Sequence, residues 1–131
     1  MVIDSSALLA ILLDEPEAAR LVEAITSAER PVVPAPTFVE AAAVLLARKG
    51  PQGEIALDAL MQRLKITVVA MSPEAATLAR AAYAHYGKGV GSPGVLNFGD
   101  CLAYGVAQAL DRPLLFKGDD FPRTDVPAAP Y

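Results

Sequence analysis

The stretch Met1-Val2-Ile3-Asp4-Ser5-Ser6-Ala7-Leu8-Leu9-Ala10-Ile11-Leu12-Leu13 decides the fold. Val2-Ile3 reads as a brief buried strand. Ser5 or Ser6 can cap the helix that follows, which carries Ala7, Leu8, Leu9, Ile11, Leu12 and Leu13. A strand that runs straight into a helix is the start of a βα unit, and the rest of the chain repeats the pattern. Asp14-Glu15-Pro16-Glu17 opens a second helix, in which Leu21, Val22 and Ile25 share a face that excludes Arg20, Glu23 and Ser27. Pro31-Val32-Val33-Pro34 is a second short strand. Thr37 caps a third helix that stops near Gly50-Pro51.

Further along, a fourth helix is expected from about Glu54 to Leu64, and Ile66-Thr67-Val68-Val69 is a strand. Ser72-Pro73-Glu74 starts another helix, with proline at the first helical position. The glycine-rich run from Tyr86 to Gly94 reads as a flexible loop. Asn97 caps a helix that runs to about Leu110, Pro113-Leu114-Leu115-Phe116 is the last clear strand, and the tail from Pro122 reads as irregular. The alternation predicts one α/β domain spanning residues 1–131, with a mainly parallel central sheet. In such sheets ligands bind beyond the carboxyl ends of the strands. Asp4 directly follows the first strand and Asp119 lies just after the last, so the two can face one crevice.

Composition narrows the chemistry. Apolar residues make up 53% of the 131, enough for a sizeable core. No apolar run reaches the ~20 residues of a spanning helix, and Met1 leads into the first strand with no basic segment of the secretory kind. The single cysteine, Cys101, excludes an internal disulfide and a cysteine-based zinc site, and it favours the cytoplasm. The single histidine, His85, excludes a catalytic histidine pair; it sits near the end of a helix, where it suits the dipole. The formal net charge of −4 lacks the basic excess of most nucleic-acid binders. Contact with nucleic acid must then rest on local cations and metal, and Lys88, Lys117 and Arg123 are the candidates for the phosphate backbone. Gly87-Lys88-Gly89 does not match a phosphate-binding P-loop.

Most of the fifteen acidic residues have ordinary surroundings; Asp14, Glu15, Glu17, Glu54, Asp58 and Glu74 read as solvated surface. Asp4, Glu40 and Asp100 differ, because each is embedded in apolar sequence with no adjacent lysine or arginine. An unpaired buried carboxylate costs several kcal/mol, and convergence of three adds mutual repulsion. A divalent cation resolves both, since hard carboxylate oxygens are the ligands magnesium and manganese prefer. Each acid also has an ordinary explanation. Thr37-x-x-Glu40 fits a capping box, Asn97-x-x-Asp100 could do something similar, and Asp4 could cap the first helix.

At these positions the chain resembles a known family. Met1 to Leu8 looks like the opening of bacterial toxins of the VapC group, within the PIN-domain family. Pro36-Thr37-Phe38-Val39-Glu40 is similar to that family's second acidic motif, and Leu96-Asn97-Phe98-Gly99-Asp100-Cys101-Leu102-Ala103-Tyr104 resembles its third. The run from Leu114 to Asp125 resembles its closing motif. The resemblance implies a three-layer α/β/α sandwich and a magnesium-dependent ribonuclease (manganese a possible substitute) that is neutralised by a VapB-type antitoxin and leaves 5′-phosphate and 3′-hydroxyl ends. It implies that Asp4 and Asp100 are metal ligands and that Glu40 is a catalytic acid that binds or helps bind metal. Where many relatives carry a fourth acid this chain has Gly118, so Asp119, then Asp120, are the candidates, or the site has three acids. Ser6 is placed to hydrogen-bond a ligand or a water. Pairing into homodimers is expected, since the helices over residues 14–30 and 37–49 are more apolar than one small core needs.

The same residues bear on other classes of protein. A degenerate PIN fold acting as an RNA-binding or protein-interaction scaffold would not need Asp4, Glu40 and Asp100 intact. A phosphoacceptor domain needs an aspartate after its mid-chain strand, where this chain has Ala70-Met71-Ser72-Pro73. A DNA-cutting enzyme is chemically close, and only a comparison of substrates separates it.

Overall fold

The apolar pairs of the strands alternate in the direction they face, and this splits the core in two. The computed structural model describes residues 1–131. Its elements, in order, are β1 (Val2–Ile3), α1 (Ser5–Leu12), α2 (Ala18–Thr26), β2 (Val32–Pro34), α3 (Ala35–Lys49), α4 (Pro51–Arg63), β3 (Thr67–Val69), α5 (Pro73–Tyr86), α6 (Phe98–Ala109) and β4 (Leu114–Leu115). A single 3-10 turn, Phe121–Arg123, follows. Val2, Val32 and Leu114 point to the side of α5 and α6. Ile3, Val33 and Leu115 point to the side of α1 to α4. Successive side chains of a strand face opposite ways, so each strand feeds both cores and helices cover both faces. The expected three layers, α/β/α, are the observed ones.

The four strands are all parallel and lie in the order β3-β2-β1-β4. The chain moves outward from β1 through β2 to β3, then crosses by α5 and α6 to β4 on the other side of β1. The switch point of the sheet therefore falls between β1 and β4. Asp4 stands at that point, with its backbone amide donating to Leu115 O at 2.9 Å.

Two helices are set by close backbone approach. A side chain at Gly105 would meet the Ala75 carbonyl, so glycine lets α6 lie tightly against α5. At the sheet's edge, the tail is more ordered than its proline content suggests. Ala128 bridges to Leu114 in parallel, and Val126 and Ala129 are buried. The tail is irregular, as expected, beyond the 3-10 turn and this one bridge, and it is held in place because these two apolar residues enter the two cores. Smaller differences concern ends: α4 begins at Pro51 rather than near Glu54, and α1 is capped by Asp4 rather than by a serine.

Candidate active site

Asp4 is the N-cap of α1 and is only 2% exposed. Its Oδ2 accepts from the Ser6 amide at 3.0 Å and from the Ser6 hydroxyl at 2.6 Å. The Ser6 oxygen in turn accepts the Lys117 amide at 3.0 Å, which ties the end of β4 to the start of α1. Asp4 Oδ1 is buried and has no partner. Both sequence-based explanations of Asp4 therefore hold in part: one oxygen caps the helix and the other is free. Burial pushes the carboxyl up to about 6 against the Ser6 bonds, and the charges of Asp100 and Glu40 push the same way.

Asp100 sits at the start of α6, and its ordinary explanation is also realised. Its Oδ2 accepts the Asn97 amide at 2.9 Å while Asn97 Oδ1 accepts the Asp100 amide at 2.8 Å, a reciprocal capping box. The group is half-buried. Burial raises its pKa, and Asp120 and Glu40 raise it further.

Glu40 departs from its capping expectation. Pro34 caps α3, proline occupies the first turn, and Thr37 lies inside the helix with a buried hydroxyl that has no partner. The Thr37–Glu40 capping box does not form, because the helix starts two residues before Thr37. Glu40 is instead turned toward α1 and α6: its Oε1 accepts the Ser5 hydroxyl, and its Oε2 lies against Gly99. Adjacent serines thus hold two different acids.

The two candidates for the fourth acid have different surroundings. Asp119 is exposed and makes no hydrogen bond or ion pair. Asp120 is the residue whose charge acts on Asp100, and its Oδ2 lies 3.8 Å from Lys88 Nζ. Gly118, which precedes the pair, has a φ of +110°. Lys117 is also differently placed. It is ion-paired with Glu15 and with Glu17 at 3.2 Å, so Glu15 and Glu17 are not plain solvated surface. Hydrogen bonding to Glu15 raises the lysine's pKa. Lys88 is the cation beside the acids, Arg123 is exposed in the 3-10 turn, and His85 is exposed in the last turn of α5.

Ser5 and Gly99 were missed in the sequence. Ser5 looked like a helix cap, and a glycine inside an apolar helix start has no signature until its neighbour is known. The one available signal was the repeated serine after Asp4.

No three of these acids form a compact ligand set as they stand. Magnesium does not require one, since it keeps several of its waters and is commonly held by one or two carboxylates. The free, buried Oδ1 of Asp4 and the oxygen-only donor set fit such an ion. What the fold and site define is a parallel α/β/α domain with Asp4 at its switch point and Asp100 and Glu40 near enough for their charges to act on it.

The chain belongs to the PIN domain family, whose model matches residues 1–127. It is 44% identical over 126 residues to the ribonuclease VapC30 of Mycobacterium tuberculosis, covering 96% of this chain and 95% of that one. In three dimensions it is similar to VapBC2 of Rickettsia felis bound to a fragment of promoter DNA, with a TM-score of 0.74 and 14% identity over 97% of this chain and 94% of that chain. A toxin–antitoxin complex of Klebsiella pneumoniae gives a TM-score of 0.73 at 18% identity, over 99% and 97%.

Proposed function

We propose that this chain is a magnesium-dependent endoribonuclease, the toxin of a toxin–antitoxin pair, acting in the cytoplasm and held inactive by a VapB-type antitoxin. The observation that carries the chemistry is Asp4: a buried carboxylate at the switch point, with one oxygen fixed by Ser6 and the other unpartnered. Membership of the family and the 44% identity to a ribonuclease support RNA as substrate. The likeness of the fold to solved toxin–antitoxin complexes supports the partner. No helix is long and apolar enough to cross a membrane.

Asp4 and Asp100 would hold the ion directly, Asp4 through Oδ1 and Asp100 through the oxygen its capping box leaves free. Bound there, magnesium or manganese supplies stabilisation of negative charge at phosphorus and a lowered pKa for the attacking water. Glu40, half-buried between Ser5 and Gly99, would help hold the ion directly or through water and would serve as the carboxylate that takes a proton. Asp120 fills the outer acidic position, and Lys88 beside it meets the incoming phosphate backbone. With no histidine at the site, protons leave by carboxylate and solvent.

The deciding experiment is cleavage of RNA by the purified chain with magnesium, with excess chelator, and with Asp4→Asn. Cleavage that needs metal and Asp4, and leaves 5′-phosphate ends, supports the reading. Full cleavage in chelator, once contaminating nucleases are excluded, ends the metal mechanism. Tight binding of RNA with no cleavage under any of these conditions favours a scaffold instead.

A further inference from the structure

Glu40 lies on α3, an element that no backbone hydrogen bond ties to α1 or α6, yet its carboxylate must stand between them. Two contacts place it there. The Ser5 hydroxyl donates to Oε1. On the other side, the missing side chain of Gly99 leaves the space that Oε2 occupies: a Cβ built on Gly99 would overlap Oε2 and lie 2.9 Å from Cδ. No other glycine of the chain has a carboxylate in its Cβ space.

We infer that Gly99 and Ser5 are positioning residues, a paired seat that aims the Glu40 carboxylate into the acidic crevice. This rests on the metal-dependent ribonuclease reading and deepens it. The fold does not need glycine at 99 for its backbone. Gly99 lies in the first turn of α6 with no positive φ, where alanine is the better helix former. Nor would the clash spread, because the atoms it meets are the far end of a flexible side chain. The least costly response to Gly99→Ala is for Glu40 to swing away, which breaks the Ser5 bond. The protein would stay folded and lose the placement of one carboxylate.

The test compares wild type, Gly99→Ala, Ser5→Ala, Glu40→Gln, Gly99→Ala/Glu40→Gln and Asp4→Asn, with Asp14→Asn as a control. Three readouts are taken: thermal unfolding, Mn2+ affinity by calorimetry, and RNA cleavage. Gly99→Ala should melt no lower than wild type, yet bind Mn2+ and cleave RNA at least ~10-fold less well, the scale at which residues behind a metal ligand act. Ser5→Ala should move the same way by less. In the Glu40→Gln background, Gly99→Ala should cost no further Mn2+ affinity, since the carboxylate it acts through is gone. Gly99→Ala that matches wild type in metal binding and cleavage, while Asp4→Asn is inactive, overturns the positioning role alone. A Gly99→Ala loss that adds in full to that of Glu40→Gln also overturns it. If wild type shows no metal-dependent cleavage and Asp4→Asn does not differ from it, the ribonuclease reading falls and takes the positioning role with it.

Discussion

The Ser6 hydroxyl spans 2.6 Å to Oδ2 of Asp4 and at the same time receives the Lys117 amide. Ser6 therefore fixes which oxygen of Asp4 is left without a partner, and it is itself held by the backbone just beyond β4. The orientation of the most buried acid is set by the joining of the first and last strands, not by α1 alone.

Substitutions at the acids should separate ligands from bystanders. Asp4→Asn and Asp100→Asn keep shape and remove charge; each should lower cleavage on the order of 100-fold or more and weaken metal binding. Glu40→Gln should slow cleavage similarly while keeping more of the metal affinity. Asp120→Asn should be several-fold more harmful than Asp119→Asn, because only Asp120 acts on Asp100. Asp14→Asn should change nothing, since asparagine tolerates the positive φ of 54° found there. Initial rates on one RNA, with metal titrations, check the whole series.

Stability of the metal-free protein should fall as pH rises from about 4 to about 6. Asp4 binds its proton more tightly folded than unfolded, with a pKa raised from 3.8 to about 6. Below about pH 4 it is protonated in both states and carries no penalty. Above about 6 it is a buried charge, a cost of about 3 kcal/mol. Asp4→Asn should thus match wild type near pH 4 and exceed its stability by up to that amount at pH 7. Urea unfolding of both proteins in chelator at the two pH values measures the difference, and a constant difference would refute it. Metal should reverse the trend, because binding needs the deprotonated carboxylate.

Thr37→Val should not destabilise the chain. Were Thr37 the cap of α3, its loss would cost about 1 kcal/mol. In the observed helix its hydroxyl is buried and unsatisfied, and such a group costs about 1–3 kcal/mol, so valine should be neutral or stabilising. The midpoint of urea unfolding distinguishes the two signs.

A homodimer is expected from the apolar side chains left on the surface. Phe98 is 72% exposed and Val39 64% exposed, on adjoining helices beside the acids. Sedimentation at micromolar concentration should give twice the chain mass, and Phe98→Ser should shift it toward one. A strictly monomeric wild type would count against pairing.

Much of this was legible in order along the chain. The βα alternation gave the parallel sheet, since short apolar runs and capping signals are local. Asp4, Glu40 and Asp100 stood out because charge in apolar sequence is conspicuous without coordinates. What failed depended on rotation or on distance. The cap of α3 was placed at Thr37, three residues beyond the observed cap Pro34, enough to turn a helix-start box into an interior position. Between Asp119 and Asp120 the sequence does not choose, because neighbouring acids in a loop carry no pattern that says which lies nearer Asp100. Lys117 looked free because its partners, Glu15 and Glu17, are about a hundred residues away in sequence.

The sheet order carries a consequence for synthesis. Val2 and Ile3 register with Leu114 and Leu115, so the crevice that holds Asp4 has no second wall until the last strand arrives. Translation delivers Asp4 first and its β4 neighbours more than a hundred residues later. At roughly 5–20 residues per second, the nascent chain passes several seconds with its most buried acid in solvent. An unfinished chain still on the ribosome has no assembled centre, so activity appears only once β4 has left the exit tunnel.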